Sequence, residues 1–265
     1  MRWLMARIGN MEERHQKILD ILTTESATSV TRLSSLLNVT KETIRKDLSM
    51  LEEQGKISRI HGGAARIDKT QRIPFQIRES IAGEEKRKVA IAASKLICEN
   101  DHVIIEGSTT NLFLCSELLK DPDKLKTVTV ITDSLRIMQL LDNGAKCKSL
   151  ILLGGMIDVD EGRARGYQTV DALKTYQADK GFISAAALND EMGITAYRED
   201  DMLFQKQVLH SAGKVYVLVN HSKYPSSALY FVCSASELTG VVTDGKLSVF
   251  AEAFLKESNT DLIQA

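Results

Sequence analysis

The chain has 265 residues, 43% hydrophobic and 26% charged, a composition that gives a globular protein room for a small domain and a larger one. No apolar run approaches the roughly 18 residues of a membrane-spanning helix, and Met1–Asn10 has too few apolar residues for a secretory signal. Cys98, Cys115, Cys147 and Cys233 stand far apart without paired spacing, which argues against a disulfide framework or a thiolate metal cluster. The expectation is a cytoplasmic protein with reduced thiols, no metal and no cofactor. Residues 1–10 are expected to be a disordered leader, with Met5 or Met11 as alternative starts.

The net charge of −1 hides an asymmetry. Up to Arg66 there are 11 Lys and Arg against 8 Asp and Glu, and beyond it 23 against 27. So small an excess does not by itself identify a nucleic-acid partner; its position matters more.

Residues 11–66 read as helical and compact. Ile18, Leu19, Ile21 and Leu22 form the apolar stripe of a first helix. Thr31 is placed to cap a second helix, with Leu33, Leu36 and Leu37 facing inward. Asn38-Val39-Thr40 makes a tight turn, and Thr40 caps a third helix whose Ile44, Leu48 and Leu51 share one face. Its other face begins with Lys41, Thr43, Arg45 and Lys46, the arrangement of a helix that meets base edges and phosphates in a major groove. The basic, β-prone segment from Lys56 to Ala64, with Arg59, His61 and a glycine turn, suits a wing along the DNA backbone. On periodicity alone, a helical bundle with a merely solvated basic face fits equally well.

Resemblance decides between the two. Arg14-His15-x-x-Ile18-Leu19, the run from Val39 to Leu48 with Leu51-Glu52 and Gly55, and Arg59-x-His61-Gly62-Gly63-Ala64 closely resemble the DeoR family of sugar-metabolism regulators. The resemblance implies a winged helix-turn-helix, its helix-turn-helix at about 28–47, that binds a double-stranded DNA operator through Thr40, Lys41, Thr43, Arg45, Lys46, Arg59 and His61. Lys46 stands where the family often has a second Arg.

Residues 67–83, with Pro74, read as a linker to a second domain over 84–265. There, β-rich runs at His102–Glu106, Thr127–Thr132, Ser149–Leu153, Gly181–Ala185, Lys214–Val219 and Gly240–Thr243 alternate with helical segments at Glu84–Glu99, Asn111–Leu119, Ser134–Leu141 and Asp200–Ala212. Such alternation predicts an α/β fold with a largely parallel sheet. The overall expectation is an all-α winged helix-turn-helix joined to this α/β domain.

Gly107-Ser108-Thr109-Thr110 follows a predicted strand and precedes a helix, where backbone amides and hydroxyls form an anion site or, alternatively, a plain helix cap. Asp133-Ser134, Gly154-Gly155 and Asn220 to Lys223 follow other strands, and ligands of open α/β sheets gather at such ends. Lys206 and Lys223 are candidate cations for a phosphate, with Arg163 and Arg165 as weaker ones.

The DeoR resemblance continues to Gly245 and implies a fold similar to ribose-5-phosphate isomerase that senses a small phosphorylated sugar. Its site residues would be Glu106, Gly107, Ser108, Thr109, Thr110, Asp133, Ser134, Gly154, Gly155, Lys206 and Lys223. This sequence departs from the family at Asp133, commonly Asn, at Asn220-His221, commonly Asp-Ser, and at Glu106, one position after the family's Asp. Asp133 matters most, because a carboxylate beside a phosphate repels it unless paired with a cation or turned toward a sugar hydroxyl.

The resulting expectation is a repressor of a carbohydrate-utilisation operon, acting as a homodimer or homotetramer and released by its effector. The alternative is a sugar-phosphate isomerase carrying a DNA-binding head, for which Glu106, Asp133, Asp200 and Asp201 supply candidate carboxylates.

Overall fold

The computed structural model describes residues 2–25, 27–53, 56–60, 62–66, 75–80, 82–144, 147–189 and 191–265. It divides into two compact units, Met1–Ile81 and Ala82–Ala265.

The first unit comprises α1 (Arg2–Glu25), β1 (Ala27–Ser29), α2 (Val30–Leu37), α3 (Lys41–Glu53), β2 (Ile57–Ile60), β3 (Gly63–Arg66) and α4 (Phe75–Ser80). Helix α1 takes in the span expected as a leader, since its backbone is helical from Arg2. The unit is also not all-α: β1, β3 and β2 form an antiparallel sheet in that order. Gly63 permits this pairing, because a Cβ there would lie 2.2 Å from the Thr28 carbonyl oxygen. Ser29 caps α2 in place of Thr31, accepting the Arg32 amide at 3.1 Å from an extended backbone. Asn38 ends α2 in the left-handed region, φ 51. Leu36 is 52% exposed, so the inward stripe of α2 is narrower than expected. Ile18, Leu22, Val30, Leu33, Ile44, Leu48, Leu51, Ile57 and Ala64 are buried together and give α1, α2, α3, β2 and β3 a shared core. Within the expected linker α4 is helical, while 67–74 and 81 lie outside the described residues.

The second unit begins with α5 (Gly83–Ser94), β4 (His102–Ile105), α6 (Thr109–Leu118), α7 (Pro122–Leu125), β5 (Thr129–Thr132), α8 (Leu135–Gly144) and β6 (Ser149–Leu152). A short hairpin, β7 (Met156–Asp158) and β8 (Arg163–Arg165), leads to α9 (Tyr167–Leu173) and β9 (Ala178–Ser184). Then come β10 (Ala187–Leu188), β11 (Gly193–Ala196), α10 (Glu199–Ser211), β12 (Ala212–Val219), β13 (Tyr230–Ser234), β14 (Gly240–Thr243), α11 (Val249–Glu257) and β15 (Asp261–Gln264).

Seven parallel strands form the main sheet in the order β15-β14-β12-β9-β4-β5-β6. All six expected strands are among them. Alternate side chains feed two cores: Val103 and Ile105 of β4 enter one and Ile104 the other, as Tyr216 and Leu218 of β12 oppose Val215, Val217 and Val219. Burial on both faces is why these strands read as unbroken apolar runs. The order also locates the functional end. The chain builds outward from β4 through β5 to β6, then returns to place β9 on the other side of β4. The crevice beyond the carboxyl ends of β4 and β9 is therefore a topological switch point, where open α/β sheets take their ligands.

Candidate DNA-reading surface and effector site

In the first unit Thr40 caps α3 as expected, its Oγ1 accepting the Thr43 amide at 3.2 Å. Ile44 and Leu48 are fully buried while Lys41, Arg45 and Lys46 are exposed, so one face anchors the helix and the other presents cations. Asp47 fastens the helix from behind: it is buried, accepts Arg14 Nε at 2.5 Å and Nη2 at 2.8 Å, and lies 3.1 Å from His15 Nε2. Arg45 Nη1 lies 3.2 Å from Glu42, an exposed pair that leaves the guanidinium at the surface. Arg59 does not extend toward solvent with them. Its Nη1 donates to Ser49 Oγ at 3.0 Å and to the Arg45 carbonyl at 3.3 Å. His61 lies outside the described residues.

In the second unit the turn after β4 is built against the turn after β5. Gly107 donates its amide to Asp133 Oδ1 at 2.7 Å. A Cβ at Gly107 would lie 3.0 Å from that oxygen and 3.0 Å from the Ser134 Cβ, tight enough that either neighbour would have to shift, so the close approach favours glycine. Ser108 caps α6, accepting the Asn111 amide at 3.1 Å, and Asn111 Nδ2 donates back to the Glu106 carbonyl at 2.9 Å and the Phe182 carbonyl at 3.0 Å. Ser108, Thr109 and Thr110 are buried at the helix N-terminus. There the first-turn amides have no partner within the helix and the helix dipole is positive.

Arg163 makes the carboxylate at 133 tolerable. It is buried, with Nε 2.7 Å and Nη2 2.5 Å from Asp133 Oδ2, and its Nη1 donates to the Gly107 carbonyl at 3.0 Å. The same Nη1 lies 3.3 Å from Asp201 and 3.7 Å from Glu106. Burial works against the guanidinium charge, but Asp133, Asp201 and Glu106 outweigh it and push its pKa up. Arg165 extends the network, 3.0 Å from Asp158 and 3.3 Å from Asp201. Asp133 thus faces a cation, the condition its departure from the family pattern demanded.

Glu106 bridges the switch point. Its Oε2 accepts the Ser184 amide of β9 at 2.7 Å and its Oε1 accepts Gln205 Nε2 at 2.8 Å. Burial raises its pKa from 4.5 to about 7, with help from Asp201 and Asp133 and against Arg163 and the Ser184 amide.

The remaining expected residues divide. Ser134 caps α8 in the same cluster, donating to Thr132 Oγ1 and accepting the Ile137 amide. Gly154 and Gly155 turn beside α9, where Thr169 Oγ1 donates to the Gly154 carbonyl at 2.9 Å. A Cβ at Gly155, φ +152, would strike that hydroxyl at 2.1 Å. Lys223 is half-buried in the turn beyond β12. Lys206 is exposed on α10 and acts on the Cys233 thiol of β13, opposing a burial-driven rise to about 12. Its neighbour Gln205, which sequence reasoning passed over, reaches Glu106 instead. Asn111 and Ser184 were likewise missed, Asp201 was singled out only as a carboxylate for the isomerase alternative, and Arg163 and Arg165 were ranked too low. A pair of arginines between two glycines, Gly162 to Gly166, was the available signal.

Among the described residues no helix is long and apolar enough to cross a membrane, and no cluster of three or more His, Cys, Asp or Glu side chains could hold a metal ion.

Comparison with known proteins agrees with this division of labour. Residues 14–70 match the DeoR-like helix-turn-helix domain and residues 81–245 match the DeoR C terminal sensor domain. The HTH-type transcriptional repressor GlcR of Bacillus subtilis is 32% identical over 88% of this chain and 88% of its own length. The HTH-type transcriptional regulator IolR of the same organism is 30% identical over 88% of this chain and 91% of its own. Among solved structures, ribose 5-phosphate isomerase A of Methanocaldococcus jannaschii aligns over 54% of each chain with 20% identity and a TM-score of 0.40. With a DNA-reading head and a sensor each matched by its own family model, the chain belongs to the DeoR family of transcriptional regulators.

Proposed function

We propose that the chain represses a carbohydrate-utilisation operon and releases its operator when a phosphorylated sugar occupies the carboxyl ends of β4 and its neighbours. One observation carries this reading: Gly107 to Thr110 form a buried, hydroxyl-rich turn at a helix N-terminus, locked by Asp133 and Arg163 at the switch point of the sheet. The amides and hydroxyls of Ser108, Thr109 and Thr110 receive the phosphate, with Lys223 as its cationic partner. Glu106 and Gln205 face the sugar. Asp133 and Gly107 serve as the frame of the turn, since each already engages the other. The relatives' names, a transcriptional repressor and a transcriptional regulator, support a regulatory role, and the first supports the sign.

DNA is met by Thr40, Lys41, Thr43, Arg45 and Lys46, with His61 on the wing. A single head spans one half-site, so a homodimer or homotetramer is the working assembly. The protein acts in the cytoplasm, where its target DNA lies.

Occupancy of the sensor and hold on the operator must be coupled reciprocally. The test is thermal-shift screening of a phosphorylated-sugar panel against inorganic phosphate, followed by operator binding with each stabilising compound. The expected result is one sugar phosphate that raises the melting temperature and lowers operator affinity. A stabilising compound that leaves DNA affinity untouched contradicts the proposal. Turnover of that compound by the purified chain would favour the isomerase alternative, and Asp133, held in an ion pair, offers that chemistry little.

A further inference from the structure

Arg59 was expected to touch DNA from the wing, and its surroundings give it another task. We infer that Arg59 is a positioning residue, which locks the wing strand to the turn of α3 that carries Arg45 and Lys46. The contacts run from strand to helix at three points. Its Nη1 donates to Ser49 Oγ at 3.0 Å and to the Arg45 carbonyl at 3.3 Å, while its amide donates to Glu52 Oε1 at 2.9 Å. Ser49 Oγ donates to the same Arg45 carbonyl at 3.0 Å, so the hydroxyl relays the guanidinium to the helix backbone.

Among the described residues strand β2 lies at the sheet edge beside β3, and Glu52 occupies the outward amide of Arg59. The wing therefore has its position set by α3 itself, through the two N–H bonds of a single guanidinium nitrogen, Nη1, held in the rigid plane of the group. An Arg with its Nε buried and its Nη1 spent on a hydroxyl and a carbonyl is poorly placed to neutralise a phosphate. Lys41, Arg45 and Lys46, whose side chains are exposed, are well placed to do so. Arg59 then acts on DNA through the angle between recognition helix and wing.

The inference rests on DNA reading by α3, which the first step of the experiment checks separately. A duplex is selected from a random-sequence pool by the full-length chain, and failure to select any duplex rejects that reading instead. Binding is then measured against salt concentration for the wild type, Lys46→Ala, Arg59→Ala, Arg59→Lys and Ser49→Ala, with circular dichroism confirming that each is folded. Lys46→Ala is expected to reduce the salt slope by about 0.9, one phosphate contact. Arg59→Ala is expected to weaken binding roughly tenfold, the scale of a lost charge-assisted hydrogen bond, with the slope unchanged. Arg59→Lys keeps the charge without the planar, pre-organised guanidinium and should bind as poorly as Arg59→Ala. Ser49→Ala alters no charge and should reproduce part of the loss, and combining it with Arg59→Ala should add little. A slope that falls by about one on Arg59→Ala with recovery in Arg59→Lys would show a phosphate contact and overturn the inference. Wild-type affinity in Arg59→Ala, or additive losses with Ser49→Ala, would overturn it too. Should Arg59→Ala fail to fold, Arg59→Lys and Ser49→Ala decide the matter.

Discussion

Replacing Arg163 by Met leaves a well-matched volume but strands three carboxylates. Asp133 loses Nε at 2.7 Å and Nη2 at 2.5 Å, Asp201 loses a cation at 3.3 Å and Glu106 one at 3.7 Å, and the Gly107 carbonyl loses a donor at 3.0 Å. Removing one partner of a buried ion pair costs about 3–5 kcal/mol, because the other charge stays behind in a poorly solvating interior. With a urea dependence of about 2 kcal/mol per M, the unfolding midpoint of the second unit should fall by about 1.5–2.5 M at pH 7.5.

The deficit should shrink at pH 5.5. Glu106 already titrates at about 7 because burial outweighs Arg163. Without Arg163 it takes up a proton more readily and sheds its charge. Asp133→Asn keeps an oxygen for the Gly107 amide and leaves Arg163 with Asp201 and Glu106, so it should cost less, about 1–3 kcal/mol. The double variant should fall short of the sum of the two losses, since it orphans no charge at position 133. The assay is urea unfolding of the full-length variants followed by far-ultraviolet circular dichroism. A midpoint for Arg163→Met within about 0.5 M of the wild type, or strict additivity in the double variant, refutes the role given to this pair.

Three further outcomes follow from the same geometry. Glu106 has its pKa raised from 4.5 to about 7, so the stability it contributes is full below 4.5 and lost as pH rises through about 7; Glu106→Gln should flatten that part of the profile, and an unchanged difference between urea midpoints at pH 5 and pH 8 would count against it. Gly107→Ala drives a Cβ to 3.0 Å from Asp133 Oδ1 and should abolish the thermal shift by the effector while operator binding survives; retention of the shift contradicts the placement of the effector. Leu48→Ala removes a fully buried side chain from the first unit and should cost about 2–5 kcal/mol, lowering DNA affinity through unfolding of the head; a hydrogen-exchange profile of α3 equal to the wild type's would refute this.

Much of the architecture was legible in the residues because it depends on local repetition. Ile44, Leu48 and Leu51 recur at the helical period, and all three are buried in the structure. Gly240–Thr243, a short apolar run, became β14 with the same bounds. Elements with weaker texture escaped. The edge strand β15 is only half-buried, and the hairpin β7–β8 reads as polar loop because two of its three buried residues are arginines. Thr31 and Ser29 both offer a capping hydroxyl, and only the path of β1 into α2 selects Ser29.

Composition and spacing along the chain determined that a cationic helix precedes a parallel α/β sheet with hydroxyl and glycine turns at its strand ends, since periods of two and 3.6 residues are local properties. Tertiary structure alone decided what those charges do. Asp133 and Arg163 stand 30 positions apart, and Glu106 and Gln205 stand 99 apart, so no local pattern links them. Whether a carboxylate repels a ligand or frames its site, and whether an arginine meets DNA or grips a helix, depends on which distant group lies within about 3 Å, and only the folded chain sets that distance.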